Sequence, residues 1–177
     1  IDEEINIAGS GSAFECFYHG KRLQTDPAYH TMETCVTMTW MKLCQNLLDL
    51  TKNPLYADQI EKTTYNALLA ALKEDAGQIA KYSPLEGVRS AGEHQCGMHV
   101  NCCNSNGPRA FAMIPTAAVL SSNDSLFVNL YGPSTTKASL GKNEISLEQT
   151  TAYPEDGDIE IAVNAPRNLE FAVAVRI

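Results

Sequence analysis

The sequence predicts a chain that is helical first and β-structured afterwards, and three observations carry that expectation. Apolar residues recur at steps of three and four through residues 32–50 and again through 54–72. Beyond about residue 116 the pattern turns into short alternating or β-branched runs. Gly and Pro breakers crowd the first 30 residues and the joints between the later runs. Helices followed by strands, without alternation, predict two domains, 1–115 and 116–177.

Thr31 is the expected N-cap of the first helix, whose inward stripe reads Val36, Trp40, Leu43, Leu47 and Leu50. Lys52-Asn53-Pro54 ends that helix and opens the next, with Asn53 as cap and Pro54 in the first helical position. The second helix is expected to bury Leu55, Ile60, Tyr65, Leu68 and Leu72. So short a link predicts antiparallel neighbours. An extended piece at 78–83 and an irregular loop precede a third, shorter helix at 108–114, stopped by Pro115. Strands follow in 125–131, 144–148, 158–163 and 169–177, between turns at Gly132-Pro133, Gly141-Lys142-Asn143, Glu155-Asp156-Gly157 and Ala165-Pro166. Such a sheet leaves edges and one face unpartnered. The expectation is therefore a protein that continues past Ile177 and began before Ile1, and the missing initiator Met agrees with a processed or excerpted start.

Composition narrows the partners. The apolar fraction of 44% and charged fraction of 19% are ordinary for a globular protein able to bury a core. A net charge of -8 and a pI near 4.9 argue against nucleic acid and anionic membrane, which both need a basic surface. No apolar run approaches the roughly 18 residues of a spanning helix.

Six cysteines are more than casual usage. Metal ligands, disulfides of an oxidising compartment and buried free thiols are the three readings. Cys102 and Cys103 are neighbours, and a bridge between adjacent residues is strained, so the spacing suits ligands better than staples. Glu33-Thr34-Cys35 stands at the start of the first helix. Where the backbone is still extended there, residues two apart point the same way. In a regular helix they would diverge by about 200°. Three thiolates and one carboxylate form a four-ligand, sulfur-rich set that suits Zn2+. A thiolate held near a helix start can be a nucleophile as well as a ligand. A leaving group then needs an acid. Glu15, in Ala13-Phe14-Glu15-Cys16, lies on a loop that could return over Glu33; its plain alternative is a solvated carboxylate.

The motifs Met32-Glu-Thr-Cys35, Tyr56-Ala-Asp-Gln-Ile-Glu61, Tyr65-Asn-Ala-Leu68, Ser83-Pro-Leu-Glu-Gly87, Cys96, Asn101-Cys-Cys103, Asn129-Leu-Tyr131 and the final Val175-Arg-Ile177 stand in an order that resembles glycoside hydrolase family 127, the β-L-arabinofuranosidase-type enzymes. The resemblance implies the C-terminal part of an (α/α)6 barrel over 1–115 and the first strands of a β-sandwich over 116–177. It implies Glu33, Cys35, Cys102 and Cys103 as zinc ligands, with Cys102 attacking the anomeric carbon. An upstream glutamate serves as acid and then base in a retaining double displacement. The family's acid stands in a Gly-Glu-Ala-Phe context where this chain reads Gly11-Ser-Ala-Phe14, so Glu15 is the candidate. The implied substrate is a carbohydrate, an L-arabinofuranoside or a related sugar, and the setting is bacterial, periplasmic or cytoplasmic. Further pocket walls are implied upstream of Ile1, so the isolated 177 residues are expected to be inactive and to bind zinc weakly or fold poorly.

Glu61, Tyr82 and His30 are candidates for contacts with the sugar, set against a solvated charge, a packed aromatic and a capping or core role respectively. His94 and His99 stand near the cysteine pair and read either as supports behind the ligands or as plain loop residues. Cys44 lies about half a turn from Cys35 and reads as core, as do Trp40 and Phe111; Cys16 and Cys96 read as pocket walls. Two rival functions remain at this stage. One is a non-catalytic protein of the same fold, with zinc as a structural clasp between helical and β segments. The other is a disulfide-bonded carbohydrate-binding sandwich.

Overall fold

The computed structural model describes residues 1–11, 14–73, 78–89 and 101–177. Helices precede strands throughout, in two compact units, Ile1–Ile114 and Pro115–Ile177. None of the helices among the described residues is long and apolar enough to cross a membrane.

The first unit is organised by two helices. A short helix α1 (Gly20–Leu23) and a 3-10 turn (Pro27–Tyr29) lead to α2 (Thr34–Thr51), which packs against α3 (Pro54–Thr63). The link is only Lys52-Asn53. Lys52 takes a left-handed conformation that closes α2, and the Asn53 side chain accepts a hydrogen bond from the Leu55 amide to open α3. The first helix starts at Thr34, two residues later than the sequence predicts, and Glu33 takes the cap assigned to Thr31. The cause is local: Met32 sits at φ 56, its amide is bonded to the Gly11 carbonyl, and the Thr31 carbonyl is spent on the Ser83 amide.

The buried faces are also turned from the expected ones. On α2 the inward side chains are Val36, Trp40, Met41, Cys44 and Leu48, whereas Leu43 and Leu50 are exposed. Beyond α3 the chain makes one π turn (Thr64–Leu68), which inserts a residue into the ladder and advances the face. Ala57, Ile60, Thr63, Ala67, Leu68 and Ala71 are therefore buried, while Leu55, Tyr65 and Leu72 stay at the surface. The N-terminal loop closes over this region. Thr63 donates to the Gly9 carbonyl at 2.7 Å, an approach so close that a Cβ on Gly9, itself at φ +85, would lie 2.6 Å from the Thr63 hydroxyl.

The segment around residues 79–83 is extended, as expected. It pairs Ile79 with Leu72 and sends its carbonyls to the start of α2. The last helix, α4 (Cys103–Ala118), is longer than predicted at both ends. Asn101 caps its start by accepting from the Cys103 amide at 3.0 Å. Pro115 does not stop it, because a proline so close to the end removes one intrahelical bond but keeps a helical φ.

The second unit holds two three-stranded sheets. The first orders β1 (Val119–Ser121), β2 (Ser125–Val128) and β6 (Ala172–Val175), with β2 and β6 parallel. The second is an antiparallel meander of β3 (Ser134–Leu140), β4 (Asn143–Thr151) and β5 (Ile159–Asn164). Gly141, at φ 59, makes the tight β3–β4 turn. Inward residues alternate along β4 as Ile145, Leu147 and Gln149, and the aliphatics join Leu126, Val128 and Leu140 in one core. Each such side chain contributes about 1.5–3 kcal/mol by leaving water. Strand β3 was not expected from sequence, since only Ala138 and Leu140 in Ser-Thr-Thr-Lys-Ala-Ser-Leu are apolar.

Candidate metal centre

Two helix starts meet at one point in the first unit. Glu33 is the last extended residue before α2, at φ −60 and ψ 129, and Cys35 lies in the first turn. Cys103 opens α4, with Cys102 just ahead of it. One carboxylate oxygen and three Sγ atoms from these four residues lie within 4.8 Å of one another. The extended backbone at Glu33 is what lets its carboxylate and the Cys35 thiol share a centre.

Glu33 is fully buried and its two oxygens do different work. Oε2 accepts from the Val36 amide at 2.9 Å and caps the helix; Oε1 accepts from Cys103 Sγ at 2.8 Å. Cys35 Sγ lies 3.1 Å from Cys102 Sγ and 3.4 Å from Cys103 Sγ, and accepts from Asn106 Nδ2 at 3.0 Å. The hydrogen bond with Cys103, followed by those of Asn106 and Cys102, holds the Cys35 thiol below its ordinary pKa despite burial. Cys102 is pushed up, first by burial and then by Cys35 and the charge on Glu33. Cys103 is pushed up strongly, first by its bond to Cys35, then by burial and Glu33. Two of the three thiols, Cys102 and Cys103, are thus held toward the protonated form. The donor chemistry is sulfur-rich and four-coordinate, and both helix N-termini favour anionic ligands there, so the set fits Zn2+. Ala71 and Ile79 pack behind Cys103, with Cys35 and Cys102 against them. Gly107 makes room, since a Cβ there would stand 2.7 Å from Ile79 Cγ1. All four ligand candidates belong to the first unit.

The centre is open on one side. A cavity of about 250 Å3 is lined by Glu15, Phe17, Glu33, Cys35, Val36, Thr39 and Cys102. Cys102 is half-buried at its wall, whereas Cys103 is sealed from solvent. Glu15 is exposed and pairs with Lys81, Nζ to Oε1 3.4 Å. Burial works against the Lys81 charge, but Tyr82 and Glu15 outweigh it and hold the ammonium above its ordinary pKa. His30 stacks on Phe14 at 5.2 Å and meets Tyr82 edge-on at 4.6 Å, so both predicted sugar contacts stand together beside Lys81. Glu61 is not among the residues lining the cavity; it sits on α3 near Tyr65, whose pKa is raised by burial and then by Glu61. Cys16 is exposed, Trp40 is buried and Phe111 half-buried. His94, Cys96 and His99 lie outside the described residues. A larger open groove of about 580 Å3 along Thr150–Ala152 and Asp156–Glu160 offers no thiol or imidazole, so the chemistry favours the smaller cavity.

Asn106 and Lys81 were not singled out from sequence. Asn106 carries a readable signal, standing one helical turn after Cys102-Cys103, whereas Lys81 carries none, because its partner Glu15 is distant in sequence.

Cys44 is wholly buried and its thiol is pushed up to about 12 by desolvation. At pH 8 only about one part in ten thousand is thiolate, the form that alkylates. Alkylation mapped by mass spectrometry should mark exposed Cys16 promptly and Cys44 only at the rate of unfolding. Equal labelling of both would contradict the burial.

A family model described as "Beta-L-arabinofuranosidase, GH127 catalytic domain" matches residues 1–116, and one for the GH127 middle domain matches 125–177. A non-reducing end beta-L-arabinofuranosidase of Bifidobacterium longum subsp. longum is 26% identical over 168 residues, covering 89% of this chain and 25% of its own length. The structure of a GH127 beta-L-arabinofuranosidase from Geobacillus stearothermophilus T6 matches with a TM-score of 0.76 at 25% identity, over 99% of this chain and 29% of that one. A GH127 beta-arabinofuranosidase structure matches with the same TM-score at 26% identity, over 99% of this chain and 27% of that one. The chain thus spans between a quarter and a third of the length of these relatives. With the catalytic-domain match running through residues 1–116 of 177, the chain belongs to glycoside hydrolase family 127.

Proposed function

We propose that this chain carries the metal-and-thiol half of a retaining glycoside hydrolase site that releases terminal β-L-arabinofuranosyl or related furanosyl residues. The observation that carries the reading is the shared cavity: Cys102 and Glu15 line it together, with Glu33 and Cys35 beside them and Cys103 sealed behind. Zn2+ held by Glu33, Cys35, Cys102 and Cys103 would supply positive charge that keeps the thiols deprotonated at neutral pH.

Cys102 Sγ attacks the anomeric carbon while the bond to the leaving oxygen breaks, and Glu15 gives that oxygen its proton. The sugar is then joined to Cys102 by a C–S bond. Water attacks the same carbon, the Glu15 carboxylate takes its proton, and the sulfur leaves with the C–S electrons. Two inversions give net retention, with a thiolate where most retaining enzymes use a second carboxylate. His30 and Tyr82 contact the sugar in this reading, supported by their place beside the Glu15–Lys81 pair. Glu61 is a third contact, resting on the family resemblance. The helical unit is read as part of an (α/α)6 barrel and the sheets as the start of a β-sandwich. The exposed Leu43, Leu50, Leu55, Leu69 and Leu72 suit helices that face other barrel helices.

The test is metal analysis of the full-length protein, with the anomer released from an aryl β-L-arabinofuranoside followed by NMR. Near-stoichiometric zinc and a β first product are expected, both lost to a chelator. An α first product, or undiminished turnover without metal, would overturn the reading. Zinc without hydrolysis of any furanoside would reduce the site to a structural one.

A further inference from the structure

Lys81 joins three parts of the candidate site. Its backbone carbonyl accepts from the Thr34 amide at 3.0 Å, gripping the start of α2 next to Glu33. Its ammonium stands 5.3 Å from the centre of the Tyr82 ring. The same ammonium lies 3.4 Å from Glu15 Oε1. The exposures are unequal: the Lys81 side chain is 14% exposed and that of Glu15 58%. An ordinary surface ion pair restrains little, because both partners are free to wander. Here one partner is already fixed by packing, and the other is a loop carboxylate following Phe14 at φ 60.

We propose that Lys81 is the positioning residue for Glu15, setting where its carboxyl stands over the cavity that holds Cys102. The inference rests on the reading of Glu15 as acid and base, and its test separates the two. Misplacing a general acid by about 1 Å can cost on the order of 10²-fold in rate. That loss falls on substrates whose leaving oxygen needs a proton. An aryl furanoside with an electron-withdrawing ring departs without one, whereas an alkyl furanoside does not.

The experiment compares kcat/KM, which reports formation of the C–S intermediate and not its later hydrolysis, on these two substrates for the full-length wild-type protein, Lys81→Met, Lys81→Arg and Glu15→Gln, with zinc content as a check on folding. Lys81→Met should lose about 10- to 100-fold on the alkyl substrate and less than about threefold on the activated aryl one. Lys81→Arg should recover most of the alkyl activity. Glu15→Gln should show the same bias, larger. Equal losses on both substrates for Lys81→Met, or no loss, beside a biased Glu15→Gln would overturn the positioning role and leave the acid in place. An unbiased Glu15→Gln would overturn both.

Discussion

Glu33→Gln should weaken zinc binding by at least about 10²-fold and cut back the thermal stabilisation that zinc gives the wild-type protein. The magnitude follows from sharing the ~10–16 kcal/mol of a four-ligand zinc site among its ligands, about 3 kcal/mol each. A hundredfold loss removes about 2.7 kcal/mol of ligand-linked stability, worth roughly 5–10 °C in a domain of this size. Glu33 is 0% exposed, and its carboxylate bonds the Val36 amide with one oxygen and Cys103 Sγ with the other. Glutamine can keep its oxygen on the amide and so preserve the cap, but then turns an NH2 toward the thiols. The replacement also removes a buried negative charge, so the metal-free protein should melt within a few degrees of metal-free wild type. Stoichiometric zinc and an unchanged metal-induced shift in Tm would show that Glu33 is only a helix cap. Melting curves with and without zinc, beside elemental analysis, separate the outcomes.

That double use of Glu33 marks what was readable in the sequence. The grouping of Glu33, Cys35, Cys102 and Cys103 could be anticipated because each pair is close along the chain and lies at a helix start. The direction of the cap could not, since Met32 is held out of the helix by the distant Gly11 carbonyl. Asn53-Pro54 and Gly141 place their turns by local chemistry, and the structure puts them there. Failures arose where tertiary contacts decide. The π turn at Thr64–Leu68 shifts a face that period counting holds constant, and Leu43 and Leu50 look inward by spacing yet lie at the surface. Polar β3 forms because β4 offers it a full register, from Ser134 opposite Gln149 to Leu140 opposite Asn143, which no pattern within β3 announces. Lys81 belongs to the same class, a residue given its place by segments far away in sequence.

Cys102→Ser should lower kcat on an aryl β-L-arabinofuranoside by on the order of 10⁴-fold or more, as loss of a covalent nucleophile does. The choice of Cys102 over its neighbours is geometric. Cys103 is sealed beneath the centre and is fixed on Glu33 Oε1, so an anomeric carbon in the cavity has no line to it. Cys35 lines the same cavity but is engaged by Asn106 and both other thiols. Of the two thiols that line the cavity, Cys102 is the one raised above its ordinary pKa, by burial and its anionic neighbours, and so the one that needs a cation to become a nucleophile. Serine makes a poor substitute, because its hydroxyl is far harder to ionise. A mere structural ligand would behave otherwise: three ligands remain, so a Cys102→Ser protein that still holds zinc would turn over nearly as fast as wild type. Zinc content and kcat therefore have to be read on one sample. Retained zinc with activity gone assigns the nucleophile, and a sugar adduct on the Cys102 peptide of slowly hydrolysed wild-type enzyme would locate the C–S bond directly. Retained zinc with activity intact would move the chemistry to another group in the cavity.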